Sequence, residues 1–155
     1  MIEKATFGAG CFWGVEAAFR KLPGVISTSV GYMGGHKDHP TYKDVCTDET
    51  GHAEVVEVVF DPARTSYEKI LECFWKCHDP TQENRQGPDI GTQYRSAIFY
   101  HDEKQKNVAE KSKAALKLAK PVVTEIVPTA TFWKAEDYHQ QYLEKRGLAS
   151  CHLPG

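Results

Sequence analysis

What constrains this chain most is the order in which two periodicities succeed one another. Residues 3–9 read as a strand running into Gly8-Ala9-Gly10. Residues 12–22 carry Phe12, Val15, Phe19 and Leu22 at helical spacing, and Pro23-Gly24 stops that helix. Residues 25–32 read as a strand, followed by a turn at Gly34-Gly35 and a polar loop to about residue 51. His52 to Phe60 alternates and is rich in Val, so it is a strand. A helix runs from Ser66, its N-cap, to about Cys77, with Tyr67, Ile70, Leu71 and Phe74 on one face. Residues 78–95 form a loop rich in Pro, Gly, Asp and Gln, and Ser96 to Tyr100 is a strand. Strand, helix, strand, strand, helix, strand is the split βαβ order of a ferredoxin-like α+β sandwich with a mainly antiparallel sheet. It is extended by a helix from Asp102 to Lys120, with Val108, Ala115, Leu116 and Ala119 inward, and a strand from Val122 to Val127. A short helix over 136–145 and a mobile tail of the last ten residues follow. Two long loops and a tail outside a compact core need a functional reason.

The 155 residues match one domain, spanning 1–155, with a single core. A formal charge of -2 with no basic arm argues against nucleic acid, and the short, charge-interrupted apolar runs argue against a membrane span. Met1-Ile2-Glu3-Lys4 leads straight into a strand with no apolar h-region, so no secretory signal and a cytoplasmic location are expected. The five cysteines, Cys11, Cys46, Cys73, Cys77 and Cys151, are odd in number and read as reduced thiols, not as a disulfide framework.

Cys11 is the thiol placed for chemistry. It lies in Gly10-Cys11-Phe12-Trp13-Gly14, where a strand turns into a helix. Backbone N–H groups and the helix dipole favour an anion there, and a thiolate is the nucleophilic form. A helix terminus contributes roughly 0.3–1 kcal/mol, against about 1.36 kcal/mol for one pKa unit. The dipole alone therefore lowers the thiol by less than about one unit, and side chains or substrate must supply the rest. The alternative is a buried cysteine acting as a small hydrophobe. Cys73 and Cys77, four apart on the apolar side of a helix, fit packing; a metal would need more ligands than the adjacent His78, and neither metal nor cofactor is expected. Cys46 fits a structural role in its loop. Cys151, in an unanchored tail, suits either a travelling, resolving thiol or a bystander.

In the strand 52–60, alternation puts Glu54 with Val56, Val58 and Phe60, and Glu57 between Val55 and Val59. A carboxyl buried among such neighbours keeps its proton toward neutrality and becomes a general acid. The pattern leaves open which glutamate is buried, though Glu54 is nearer the long loop. The loops add Tyr42, Asp89 and Tyr94, whose hydroxyls and carboxyl fit a polar substrate oxygen or, equally, ordinary packing. Phe12 and Trp13 flank the thiol as a possible apolar cup, although Phe12 also fits the inner face of its helix.

Seven blocks carry a family resemblance: Gly-Cys-Phe-Trp-Gly at 10–14, Gly31-Tyr32-Met33-Gly34-Gly35, Pro40-Thr41-Tyr42, Gly51-His52-Ala53-Glu54, His78-Asp79-Pro80-Thr81, Gly91-Thr92-Gln93-Tyr94-Arg95-Ser96, and Glu136-Asp137-Tyr138-His139-Gln140-Gln141-Tyr142-Leu143. In order and spacing, from about residue 4 to 143, they closely resemble the A-type peptide methionine sulfoxide reductases. The resemblance implies reduction of the S-epimer of methionine sulfoxide, free or in proteins, as a repair of oxidised proteins. It implies that Cys11 attacks the sulfoxide sulfur, that Glu54 protonates the oxygen, that Tyr42 and Tyr94 bind that oxygen and that Asp89 helps through water. Phe12 and Trp13 would hold the ε-methyl group. A sulfenic acid on Cys11 would condense with a second cysteine, and thioredoxin would reduce the disulfide. Many family members end in a glycine-rich tail with two cysteines, whereas only Cys151 is present here, followed by His152-Leu153-Pro154-Gly155. A single relay through Cys11–Cys151 is therefore expected, with Cys46 the lesser candidate for the resolving role, and a monomer.

Two other readings compete. A cysteine hydrolase would pair Cys11 with a base, His52 or His139, and with Asp89. A binding module would use the aromatic cup without catalysis. Thioredoxin-like chemistry fails for want of Cys-x-x-Cys, and a peroxidase for want of Thr or Ser before the thiol.

Overall fold

The computed structural model describes residues 2–146. Its elements in chain order are β1 (Glu3–Ala9), α1 (Phe12–Arg20), β2 (Val25–Met33), α2 (Tyr42–Cys46), β3 (Ala53–Phe60), α3 (Tyr67–Lys76), β4 (Arg85–Gln86), β5 (Asp89–Ile90), β6 (Ser96–Tyr100), α4 (Glu103–Ala115), β7 (Glu125–Pro128), β8 (Trp133–Lys134) and α5 (Tyr142–Lys145). One sheet has the order β7-β6-β1-β3-β2-β8. Its four inner strands, β6, β1, β3 and β2, pair antiparallel. This is the split βαβ arrangement expected from the element order. β7 joins β6 in parallel, a pairing that needs a crossover, and α4 supplies it.

The sheet is buried on two faces. Against one face pack α1 and α3, so that Phe7, Val30, Tyr32, Val56, Val58 and Ile98 meet Phe12, Val15, Phe19, Ile70, Leu71 and Phe74. Phe7 is central: its ring stacks 5.3 Å from Phe19 and 5.0 Å from Phe74, and it anchors the strand that leads to Cys11. On the opposite face Met33, Ala53, Val55, Ala97 and Phe99 pack beneath Val127 and Phe132. There the Thr129 hydroxyl lies 3.7 Å from the Met33 sulfur.

Several boundaries differ from the sequence reading. The helix expected over 102–120 ends at Ala115, and Ala115 and Ala119 are exposed instead of inward; its buried positions are Gln105 and Ala109. Tertiary ties outweigh helical spacing here. Lys113 Nζ donates to Thr124 O at 2.9 Å and Val123 N–H to Pro80 O at 2.9 Å, drawing the chain back toward β6. The following strand consequently begins at Glu125, not Val122. The loop before residue 51 contains α2, started by a capping box between Thr41 and Asp44. The loop over 78–95 contains the β4–β5 hairpin and a 3₁₀ turn over Thr92–Tyr94.

The short helix expected over 136–145 is two separate turns, Asp137–His139 and α5, divided by Gln141 in the left-handed region at φ 49°. Side-chain bonds hold that break. The Gln140 amide accepts from Val30 N–H at 2.9 Å and donates to Val30 O at 2.9 Å and Ala135 O at 3.0 Å. Gln141 N–H donates to the buried Glu16 carboxylate at 2.8 Å.

Because Phe7 is fully buried and its ring stacks with both Phe19 and Phe74, Phe7→Ala leaves a void in the core. A loss of about 3–5 kcal/mol in urea denaturation is expected; a loss under about 1 kcal/mol would mean that the aromatic stack contributes little.

Candidate active site

The register that pairs Phe7 of β1 with Val56 of β3 runs on toward Ala9 and Glu54, so the end of one strand faces the start of the other. Just beyond β1, Gly10 turns the chain at φ +100°, and a Cβ there would come within 2.9 Å of Gln86 Cγ. Only glycine fits that close approach. Cys11 follows as the N-cap of α1 and is partly exposed. The first N–H of the helix, on Phe12, donates to Glu54 Oε1 at 3.2 Å. Thiol-bearing residue and carboxyl are thus joined through one backbone group.

Glu54 lies on the helix-facing side of β3 and is 1% exposed, while its Oε2 has no hydrogen-bond partner among the described residues. Burial pushes its carboxyl from an ordinary 4.5 up to about 8; the Phe12 N–H opposes the rise and the Asp89 charge adds to it. The alternative left open by the strand pattern is thereby closed. Glu57 is on the other face, partly exposed, with Lys4 Nζ at 3.7 Å.

Two phenols approach the same carboxyl. Tyr42 opens α2, and its backbone N–H donates to Glu136 Oε2 at 2.9 Å. Burial raises its hydroxyl, as do a bond to Cys46 and the Glu54 charge. Tyr94 closes the 3₁₀ turn over 92–94, and its hydroxyl is raised by burial and then by Glu54, Cys46, Asp89 and Cys11. Asp89, Glu54 and Cys11 are thus near enough to Tyr94 for their charges to act on its hydroxyl. The Asp89 carboxyl is itself raised by burial. The six residues singled out in the sequence around Cys11, namely Phe12, Trp13, Tyr42, Glu54, Asp89 and Tyr94, are therefore gathered by the fold.

The aromatic pair divides its work. Phe12 is buried, 5.8 Å from the Tyr32 ring and 5.2 Å from that of His139. Trp13 is only partly buried; its indole stacks on Tyr142 at 3.8 Å and 7° and donates its N–H to His139 Nδ1 at 2.8 Å. The segment over 136–142 frames the site in a way that the sequence reading did not assign. Glu136 accepts from the Tyr32 hydroxyl at 2.9 Å as well as from Tyr42 N–H. Burial works to raise the Glu136 carboxyl, but these donors outweigh it and the net shift is downward. The signal was a polar-aromatic block with no hydrophobic stripe, Glu136 to Tyr142, unlike any helix of the core.

A sequence pattern described as Peptide methionine sulfoxide reductase matches residues 3–154. The chain belongs to that family. As such it is an oxidoreductase of methionine sulfoxide. This reductase is 64% identical over 154 residues to the Peptide methionine sulfoxide reductase MsrA of Geobacter sulfurreducens, covering 97% of this chain and 95% of that one. Among solved structures it matches Methionine sulfoxide reductase A of Corynebacterium diphtheriae with a TM-score of 0.87 and 41% identity, over 97% of this chain and 77% of the other. It also matches Mxr1 from Saccharomyces cerevisiae in reduced form, with a TM-score of 0.87 and 36% identity, over 99% of this chain and 90% of that one. Mxr1 has been solved in complex with Trx2 as well, a structure that shares the fold at a TM-score of 0.60 and 23% identity, over 91% of this chain and 84% of that one.

The reductase's remaining thiols sort by environment. Cys46, at the end of α2, is exposed. Burial pushes the Cys73 thiol up to about 11 and the Cys77 thiol higher still, and Cys77 Sγ donates to Phe74 O at 3.3 Å, so both fit packing. Cys151 lies outside the described residues. No helix among the described residues is long and apolar enough to cross a membrane.

The raised Glu54 carboxyl carries a stability signature. Between about 4.5 and about 8 the folded chain keeps a proton that the unfolded chain gives up, so this group makes stability fall as pH rises through that window. Glu54→Gln should abolish that decline, leaving the variant several kcal/mol more stable relative to the parent at pH 9 than at pH 4. Chemical denaturation at the two pH values checks this, and parallel slopes would show an ordinary, solvated glutamate.

Proposed function

We propose that this reductase converts the S-epimer of methionine sulfoxide, free or within proteins, to methionine at Cys11, with Glu54 as general acid. The observation that carries the reading is the Phe12 N–H bond to Glu54 Oε1 beside Cys11, on a carboxyl pushed up to about 8. A sulfoxide oxygen leaves sulfur only when protonated, so a thiolate and a neutral carboxylic acid must coexist at one pH. Because Phe12 N–H occupies Oε1, the acid's proton belongs on Oε2, which is buried and has no hydrogen-bond partner among the described residues. From there it passes to the sulfoxide oxygen as the Cys11 thiolate attacks sulfur. The Tyr42 and Tyr94 hydroxyls bind that oxygen, Asp89 assists through water, and Phe12 and Trp13 receive the ε-methyl group. The protonated oxygen then passes as hydroxide from the methionine sulfur to the Cys11 sulfur, the bond between the two sulfurs breaks with its electron pair staying on methionine, and Cys11 is left as a sulfenic acid.

Cys151 then attacks the Cys11 sulfur, water leaves, and the resulting disulfide is reduced by the dithiol of thioredoxin. The complex of Mxr1 with Trx2 supports this last exchange. A monomeric, cytoplasmic repair enzyme is the setting we propose. The hydrolase alternative is weakened by its bases: His52 uses both ring nitrogens on backbone, with Gly35 N–H at 3.0 Å and Lys37 O at 2.7 Å, and His139 Nδ1 is engaged by Trp13.

Cys11→Ala should abolish reduction of the S-epimer, and Glu54→Gln should lower kcat/KM by about 10²–10⁴-fold, the usual contribution of a general acid. Full activity in either variant, measured as methionine formed with a chemical dithiol, would reject the role of that residue. Cys151→Ser should still give one methionine per chain but stall with thioredoxin. After one turnover without reductant, mass spectrometry of the parent enzyme should find Cys11 linked to Cys151; a link to Cys46 or Cys77 instead would overturn the single relay.

A further inference from the structure

Tyr42 and Tyr94 reach the site from separate loops, so the distance between their hydroxyls depends on how those loops are joined. Each phenol belongs to a stiff unit. The first runs from the capping box at Thr41, with Tyr42 next to it, through α2 to Asp48, whose backbone N–H donates to Val45 O at 3.1 Å. The second is the 3₁₀ turn over Thr92–Tyr94, held by Tyr94 N–H on Gly91 O at 3.0 Å and by Arg95 Nη1 on Thr92 O at 2.9 Å. The N-cap of that turn is Gly91, which has no side chain to satisfy the first donors. Asp48 does so from the other loop: its Oδ1 accepts from the Thr92 N–H, at 2.9 Å, and from the Thr92 hydroxyl. Among the described residues these are the hydrogen bonds that join the two units.

Asp48 is exposed, and its backbone is left-handed at φ 63°. Aspartate tolerates that conformation, but glycine adopts it more easily, and an exposed side chain gains little from packing. What an aspartate adds there is a charged acceptor, and charge-assisted hydrogen bonds are about twice as strong as neutral ones. Both bonds it accepts at Oδ1 end on the residue two before Tyr94. At the other end of the units the phenols lie close enough for Tyr94 to act on the Tyr42 hydroxyl. We propose that Asp48 and Thr92 form a latch that holds the Tyr42 and Tyr94 hydroxyls together around the sulfoxide oxygen, which makes both of them positioning residues for the reduction. The proposal rests on the reading of these two phenols as the groups that bind that oxygen. Asp48 and Thr92 act through the tyrosines and do not touch the reacting atoms. With the latch broken, the two loops are free to separate, and one oxygen no longer receives both hydroxyls in good geometry.

The test uses the full-length enzyme, the S-epimer of N-acetyl-methionine sulfoxide and a chemical dithiol as reductant. Asp48→Ala removes the acceptor and should lower kcat/KM about five- to twentyfold, a fraction of the roughly 10²–10³ that complete loss of one such oxygen-binding donor costs. Asp48→Asn keeps an oxygen near the position of Oδ1 and should stay within about threefold of the parent. Thr92→Val, which removes the hydroxyl alone, should fall between them, and Thr92→Ser should recover the parent value. A Tyr42→Phe, Tyr94→Phe double variant has no hydroxyls left to align, so adding Asp48→Ala to it should change kcat/KM by less than about twofold. A loss in that background as large as in the parent would mark a merely structural tie and overturn the proposal. Parental activity in Asp48→Ala, or equal impairment in Asp48→Asn, would overturn it too. Should Asp48→Ala fail to fold, Thr92→Val carries the same comparison. A double tyrosine variant with parental kcat/KM would instead sink the reading of the phenols and this proposal together, so the two failures are told apart.

Discussion

The bond from Phe12 N–H to Glu54 Oε1 is the constraint on which the rest of the site depends. Helix starts carry unsatisfied donors and a partial positive charge, and in many proteins an aspartate or serine of the same helix satisfies them. Here the N-cap is a cysteine, and a carboxyl from a different strand satisfies the first donor. The consequence is electrostatic as well as geometric. The N–H that favours an anion is shared between the thiol position and the acid, while burial keeps the acid neutral. Each group is set against the other's environment, which is what the nucleophile and acid we propose would require at one pH.

That bond exists because of strand order. In the split βαβ topology β1 and β3 are neighbours and run antiparallel, so the last residues of one lie beside the first residues of the other. Cys11 follows the end of β1 and Glu54 is the second residue of β3. Forty-two residues of intervening chain, including α1, β2 and α2, are free to carry other parts of the site. The loops use this freedom: Tyr42 sits on α2, Asp89 on β5 and Tyr94 on a 3₁₀ turn, all at the same end of the sheet.

How far the sequence could be read depended on where local chemistry and tertiary structure agreed. The Val-rich alternation of 52–60 and the aromatic spacing of 12–22 and 66–77 are satisfied by the same sheet face, so those elements and most of the core were legible. The extension of α4 to Lys120 was not, because its apolar spacing continues past Ala115 while the Lys113 and Val123 bonds pull the chain away. α2 went unread although Thr41 and Asp44 spell a capping box; five residues give too little periodicity to notice. Choosing Glu54 over Glu57 needed burial, since both have valine neighbours along the strand. The break at Gln141 rests on Glu16, 125 residues away in sequence, and no local pattern announces a partner that distant. The role of the block over 136–142 was hidden for the same reason: its partners, Tyr32, Trp13 and Val30, come from the first quarter of the chain.

One side chain on the far face of the sheet takes on meaning from the enzyme's chemistry. Met33 ends β2 at 1% exposure, enclosed by Ala53, Val55, Ala97 and Phe99. Thioether oxidation needs oxidant at the sulfur and would introduce a polar oxygen where the packing has no space for one. A repairer of damaged methionine must operate under the very conditions that inflict the damage, and this internal methionine is shielded from becoming a lesion of its own. The same dense layer that aligns the strands also keeps the repairer out of the pool of molecules awaiting repair.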